Sequence, residues 1–124
     1  MDPIADLLTT IKNSVAARKK RAVISYSKIK EQILKIFVQR KVIFSYEIKK
    51  EEKSPIIVIH FDDSRKIYHL ERVSKPGRRV YLKCREIRMP AGLGFVVVST
   101  PKGVVDGCEA KKVGLGGEVI CNVW

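Results

Sequence analysis

Apolar positions in the first forty residues recur at helical spacing. Ile4, Leu7, Leu8, Ile11 and Val15 fall three to four residues apart and make one stripe, as the buried face of an α-helix requires. Asp2-Pro3 opens the segment: an aspartate can cap free amides, and proline suits the first helical position. Asp6 lies near the positive end of the helix dipole. The other face carries Thr9, Lys12 and Asn13, which read either as plain solvent-facing residues or as a contact surface. Arg18-Lys19-Lys20-Arg21 ends the helix, and Ala22 to Tyr26 reads as a short strand. Ser27 then caps a second helix over residues 28–41, with Glu31 one position late for a capping box. Ile29, Ile33, Ile36 and Phe37 form its buried stripe, with Leu34 at the edge and Lys28, Lys30, Lys35 and Arg40 largely elsewhere.

The period then changes from helix to strand. Val42 to Lys49 alternates, with Val42, Phe44, Tyr46 and Ile48 on one side, which predicts a half-buried strand. Lys50 to Pro55 makes a charged hairpin loop and Ile56 to Phe61 the return strand. The first half is thus α-β-α-β-β, helices over a small sheet. Asp62-Asp63-Ser64 is the expected boundary, giving an N-terminal α/β domain over 1–62 and a β-rich domain over 63–124, tightly joined. In the second part Lys66 to Val73 is strand-like, Ser74-Lys75-Pro76-Gly77 signals a turn, and Arg78 to Leu82 predicts another strand. Residues 83–91 are irregular. Asp106 and Glu109 mark a short helix over 106–113 that Gly114 ends, and Gly116-Gly117-Glu118 turns into a last strand, Val119 to Trp124. The fold class is α/β (α+β).

One stretch organises the second part. Phe95 to Val98 is an apolar run too short for a helix, suited to a strand buried on both faces. Its exit, Ser99-Thr100-Pro101-Lys102-Gly103, offers two hydroxyls, an ammonium and a turn. These residues read either as an ordinary turn after a core strand or as a rigid mount for a phosphate or base edge.

Charge sharpens the choice. The chain has 124 residues, 25 Lys and Arg and 13 Asp and Glu, for a net charge of +12. Residues 1–62 carry 13 basic and 7 acidic groups and residues 63–124 carry 12 and 6, so each half is +6 and the charge is no tail. A folded chain this basic expects a polyanion, of which nucleic acid is the commonest. A membrane partner is not expected: it needs a basic amphipathic helix with apolar anchors, and no segment matches a secretory signal or a bilayer span. Cys84, Cys108 and Cys121 are widely spaced and His60 and His69 lie at no ligand-like distance from them, so free thiols, no metal and no cofactor are expected.

Catalytic signatures are sparse. No carboxylate pair stands out, Lys102 lacks the upstream glycines of a phosphate-binding loop, and Gly92-Leu93-Gly94 precedes a strand where a dinucleotide fingerprint precedes a helix. Aromatics are 7% of residues, too few for a general single-strand binder. Hydroxyls, glycine turns and cations suit structured RNA better, with Tyr81 the one ring placed among basic residues. A non-enzymatic RNA-binding protein is the reading; a small basic RNA-modifying enzyme and a free mRNA-binding regulator are the alternatives.

Five motifs, in order, narrow it further. They are Asp2-Pro3-Ile4-Ala5-Asp6 with Leu8-Thr9 and Asn13; Arg72-Val73-Ser74-Lys75-Pro76-Gly77 with Arg79-Val80-Tyr81; Gly92-Leu93-Gly94; Ser99-Thr100-Pro101-Lys102-Gly103; and Gly116-Gly117-Glu118-Val119 running to Val123-Trp124. In these the whole chain resembles the bacterial small-subunit ribosomal protein S8 family. The resemblance implies a two-domain α/β protein that binds the central domain of small-subunit ribosomal RNA early in assembly and helps build the platform. It also implies neighbouring ribosomal proteins as partners, a place in the cytoplasmic ribosome of a bacterium or the ribosome of an organelle, and in some members repression of their own operon mRNA. The implied RNA surface is Ser99, Thr100, Lys102 and Gly103 with Gly116, Gly117 and Glu118, joined by Tyr81 and the Lys75-Pro76-Gly77 turn. Thr9, Lys12 and Asn13 would face RNA from the first domain. The chain departs from the family pattern at Pro101, where serine is usual, and at Gly107, where arginine is usual. It is also about one residue shorter between Ile87 and Gly92.

Overall fold

A computed structural model of the chain describes residues 2–51, 53–62, 69–89 and 94–124. The chain divides into two compact units, residues 1–67 and 68–124. Asp63, Ser64, the first part of the strand expected over 66–73, and Gly92-Leu93 lie outside the described residues.

The first unit carries helices α1 (Pro3–Ala16) and α2 (Lys28–Gln39) and strands β1 (Arg21–Ser25), β2 (Ser45–Lys50) and β3 (Pro55–His60). The strands form an antiparallel sheet in the order β1-β3-β2. Asp2 caps α1 as expected, its carboxylate accepting from the amides of Ile4 and Ala5 at 3.2 and 3.3 Å. Ser27 caps α2, accepting from the Lys30 amide. Both helices stop without glycine. Arg18 and Lys41 take left-handed φ of 55° and 62°, and each is followed by the amide pairing of a Schellman turn. Lys19 donates to Ser14 and Val42 to Phe37, at 2.9 Å each. Leu7, Leu8, Ile11, Ile33, Ile36 and Phe37 from the helices and Ile57 and Ile59 from β3 are all buried.

The structure corrects three expectations here. Lys30 does not face solvent: it is 3% exposed. Its ammonium donates to Asp6 Oδ2 at 3.0 Å, Ser25 Oγ at 3.0 Å and the Ser25 carbonyl at 3.1 Å. Three donors meet three acceptors, which is what makes a buried lysine tolerable. Leu34 is fully buried, not at the edge, while Ile29 is only half-buried, so the stripe of α2 is rotated from the expected one. The strand expected over Val42–Lys49 begins at Ser45. Val42 and Ile43 both enter the core after the Lys41 turn, and Phe44 stays 64% exposed.

Among the described residues the second unit is a five-stranded antiparallel sheet with one α-helix. β4 (Leu70–Arg72), β8 (Gly117–Val123), β6 (Phe95–Thr100) and β7 (Gly103–Asp106) run in that order, and β5 (Tyr81–Leu82) also pairs with β8. β6 is central, and Phe95 to Val98 are buried throughout, as its unbroken apolar run requires. Val96 and Val98 pack with Ile87, Ala110 of α3 (Gly107–Val113) and Val119 in one cluster. Opposite Val97 and Val98 the register of β8 slips by one residue, a bulge that leaves Ile120 without a partner on β6, while on its other side the Ile120 carbonyl accepts from the Val73 amide at 3.0 Å. Asp106 caps α3 through the Cys108 amide at 2.9 Å, and Gly114 closes it at φ 72°. Two expectations are corrected. The strand expected over Arg78–Leu82 is only Tyr81–Leu82, because residues 75–78 close a turn first. The irregular stretch 83–91 holds a 3₁₀ turn, Cys84–Glu86, followed by the fully buried Ile87. No helix among the described residues is long and apolar enough to cross a membrane.

Candidate nucleic-acid interface

The exit of β6 folds into a tight hairpin. Thr100 pairs with Gly103 across the Pro101-Lys102 turn. The Thr100 hydroxyl donates to the Gly103 carbonyl at 2.8 Å and accepts from the Lys102 amide at 3.2 Å. Thr100, which the resemblance puts at the RNA surface, is itself buried, and its hydroxyl closes the loop. Gly103 sits at φ 117°, a conformation side chains rarely adopt. The hairpin thus leaves Lys102 exposed and Ser99 half-exposed on a stiff mount.

Beside the hairpin the chain makes two close approaches. A Cβ on Gly117 would run into the carbonyl of Ser99, and one on Gly116 into the carbonyl of Leu82 and, at 2.8 Å, Lys83 Cα. The glycines therefore let the α3–β8 turn lie against both β6 and the β5 exit. The result is an open groove of about 1080 Å³. Ser99, Tyr81, Gly116, Gly117 and Glu118 all line it, together with Pro101, Lys83 and Arg85. Tyr81 is 67% exposed at its side. Lys83 and Arg85 had no periodic pattern to mark them. Only their position two and four residues after Tyr81 could have signalled them.

Glu118 is tied inward. Its carboxylate accepts from the Ser74 hydroxyl and, at 2.9 Å, from Arg79 Nη1. Ser74 is buried and its hydroxyl also accepts from the Val80 amide at 3.2 Å, so one serine and one glutamate pin the 74–80 loop to β8. Burial alone would raise the Glu118 carboxyl. The hydrogen bonds from Ser74 and Arg79 and the charges of Arg79 and Arg72 outweigh it, and the carboxyl is held below its ordinary value. A depressed carboxylate gives stability that is present above the unfolded-state value, near 4.5, and lost as pH falls through the folded value. Acid unfolding of Glu118→Gln is therefore expected to show a weaker stability loss below about pH 4.5 than the unsubstituted chain. Identical acid profiles in urea titrations would contradict the pinning role.

Of the remaining expected contacts, Lys75 is exposed in the 75–78 turn and is not among the residues that line the groove. Thr9, Lys12 and Asn13 are exposed together on α1 of the first unit. Gly107 is buried, a Cβ there meeting Met89 at 2.8 Å. Cys84 points its thiol at the Ala110 and Lys111 carbonyls, 3.9 Å from each. Cys121 is buried, which pushes its thiol up to about 12. Among the described residues no group of three or more His, Cys, Asp or Glu could hold a metal ion.

The family model described as ribosomal protein S8 matches residues 2–124. The chain belongs to the ribosomal protein S8 family. It is 43% identical to the small ribosomal subunit protein uS8 of Thermus aquaticus, over 99% of this chain and 98% of that one. It is 43% identical to the uS8 of Dehalococcoides mccartyi over the same shares, and 45% identical to that of Persephonella marina. Every motif that carried the resemblance falls within the matched span. Three of the five bear on the second unit's groove, hairpin and pinned loop.

Proposed function

We propose that this chain is a structural constituent of the small ribosomal subunit that binds the central domain of small-subunit ribosomal RNA and helps assemble the platform, without catalysing a reaction. The support is the relatives' shared name and one observation: the groove gathers an exposed ring, a hydroxyl, glycine backbone and the cations Lys83 and Arg85 in a single concave surface. Stacking, sugar and base-edge hydrogen bonds and phosphate contacts are what structured RNA offers. In this reading the second unit supplies selectivity through Tyr81, Ser99 and the hairpin. The first unit adds affinity through the Thr9, Lys12 and Asn13 face and the Arg18–Arg21 cations. Neighbouring small-subunit proteins are its protein partners and the ribosome of a bacterial cytoplasm its place. Binding to its own operon mRNA through the same groove follows if that mRNA copies the ribosomal RNA site. Reconstitution of small subunits with the labelled chain tests the reading: it should co-sediment at one copy per particle. A chain that stays in the supernatant would favour a free regulator instead.

A further inference from the structure

We propose, building on the RNA-binding function above, that the end of the first unit where α1 and α2 both stop is a second RNA site: Phe44 stacks an unpaired base while Arg18, Lys20, Arg21 and Lys41 hold the phosphates beside it. Backbone bonds bring these residues together. The turn after α1 runs into β1, where Arg21 pairs with His60 and the Lys20 carbonyl accepts from the Phe61 amide. The turn after α2 runs into β2, where Ser45 pairs with the other side of His60 and the Phe44 amide donates to the His60 carbonyl. Lys20 and Phe44 therefore flank the end of β3 from opposite sides, about 10 Å apart at ladder spacing. Arg18 and Lys41 are the non-glycine residues with left-handed backbone among the described residues, at φ 55° and 62°. Glycine is favoured in that conformation, and Gly114 takes it at the end of α3. A cation serves the helix dipole equally from the last turn, without that strain. Neither α1 nor α2 has a basic residue in its last turn; each places one in the strained turn beyond.

Charge selects the partner's chemistry. Arg18, Lys20, Arg21 and Lys41 are exposed, and among the described residues no ion pair holds their side chains. Lys19 and Arg40 add two cations, each with a contact of its own. The acids of this end are Asp62, which also has a contact, and Glu47, whose carboxylate already meets His60 at 3.1 Å and Lys49 at 3.8 Å. Asp63 is next in the sequence, outside the described residues. The two helix dipoles bring about half a negative charge each. The cations outnumber these, and the Phe44 side, 64% exposed, stands among them. Cations around an exposed ring match an unpaired stretch of RNA, which offers both a phosphate chain and a base to stack. An acidic protein segment would answer the charge alone.

The test titrates the ¹⁵N-labelled full chain with octauridylate and reads affinity from the amide shifts of residues 18–21 and 41–44. Arg18→Gly with Lys41→Gly should flatten the salt dependence by about 1.4, at about 0.7 per phosphate contact on a single strand, and cost about tenfold or more in affinity near 0.1 M salt. The urea midpoint of this pair should be at least as high as that of the unsubstituted chain, because glycine suits both positions. Phe44→Ala should weaken binding about fivefold or more and Phe44→Trp should keep it, as loss and retention of a stacked base require. These readouts do not depend on which RNA the groove chooses. Equal binding of the central-domain fragment and an unrelated RNA would count against the ribosomal reading and not against this site. Unchanged affinity and salt slope in the glycine pair would overturn the proposal. So would unmoved affinity in Phe44→Ala, shifts confined to the groove around Tyr81 and Ser99, or the same shifts at equal affinity from octaaspartate, which would make the surface protein-facing.

Discussion

Gly117→Ala is expected to destabilise the second unit by about 3 kcal/mol or more, or to prevent its folding. Ordinary overpacking costs about 1–3 kcal/mol when a neighbour can give way. Here the atom in the way is the main-chain carbonyl of Ser99, with Thr100 Cα 3.2 Å from the same Cβ. Neither is the end of a flexible side chain. Relief requires β8 to part from β6, the central strand pairing of the unit. Gly77→Ala is the matched control, since nothing lies within 4 Å of its Cβ and its φ is not left-handed. It should change stability by less than about 1 kcal/mol. Urea unfolding followed by Trp124 fluorescence reads both. A Gly117→Ala midpoint equal to that of Gly77→Ala would contradict the close approach.

The contrast shows what the sequence could and could not reveal. Gly116-Gly117 was legible as a turn, because glycine pairs punctuate chains. That Gly116 lies against Leu82 and Gly117 against Ser99, 34 and 18 positions earlier in the chain, was not legible: close approach is a property of packed strands and not of local pattern. The helices were legible because Leu7, Leu8 and Ile11, or Ile33, Ile36 and Phe37, repeat at helical period. Lys30 was missed for the reason that makes it stable: its partners Asp6 and Ser25 come from other elements. The strand over Val42–Lys49 was overread because alternation is satisfied equally by Val42, which is buried, and Phe44, which is not. Thr100 was legible as a hydroxyl near a turn, yet its bonds to Gly103 and Lys102 were invisible until the hairpin closed. Lys83 and Arg85 became candidates only when the groove brought them beside Tyr81 and Ser99.

Tyr81→Ala carries the second large expected effect. Tyr81 is 67% exposed and lines the groove, and in a monomer removal of its ring should cost almost no stability. A base stacked on such a ring is worth about 1–3 kcal/mol, so affinity for the cognate RNA should fall roughly 5- to 150-fold. Tyr81→Phe should keep most of the affinity, because the face of the ring does the stacking. Affinity for an unrelated duplex, held by scattered cations, should hardly change. Competition binding on the three proteins, with thermal unfolding as a check of the fold, separates these outcomes. Unchanged cognate affinity in Tyr81→Ala would remove the ring from the interface and leave Ser99, Lys83 and Arg85 as the groove's remaining contacts.

The most direct test of the account is a mobility-shift titration of the chain at near-physiological salt. One RNA is the central-domain fragment of small-subunit ribosomal RNA and the other an unrelated RNA of equal length. Specific recognition commonly exceeds non-specific binding by about 10³ or more, and selectivity of that order is predicted. It should shrink when Tyr81 and Ser99 are both replaced by alanine. Equal, salt-sensitive binding to both RNAs would contradict the account: the +12 charge would then hold RNA, and the groove would not choose it.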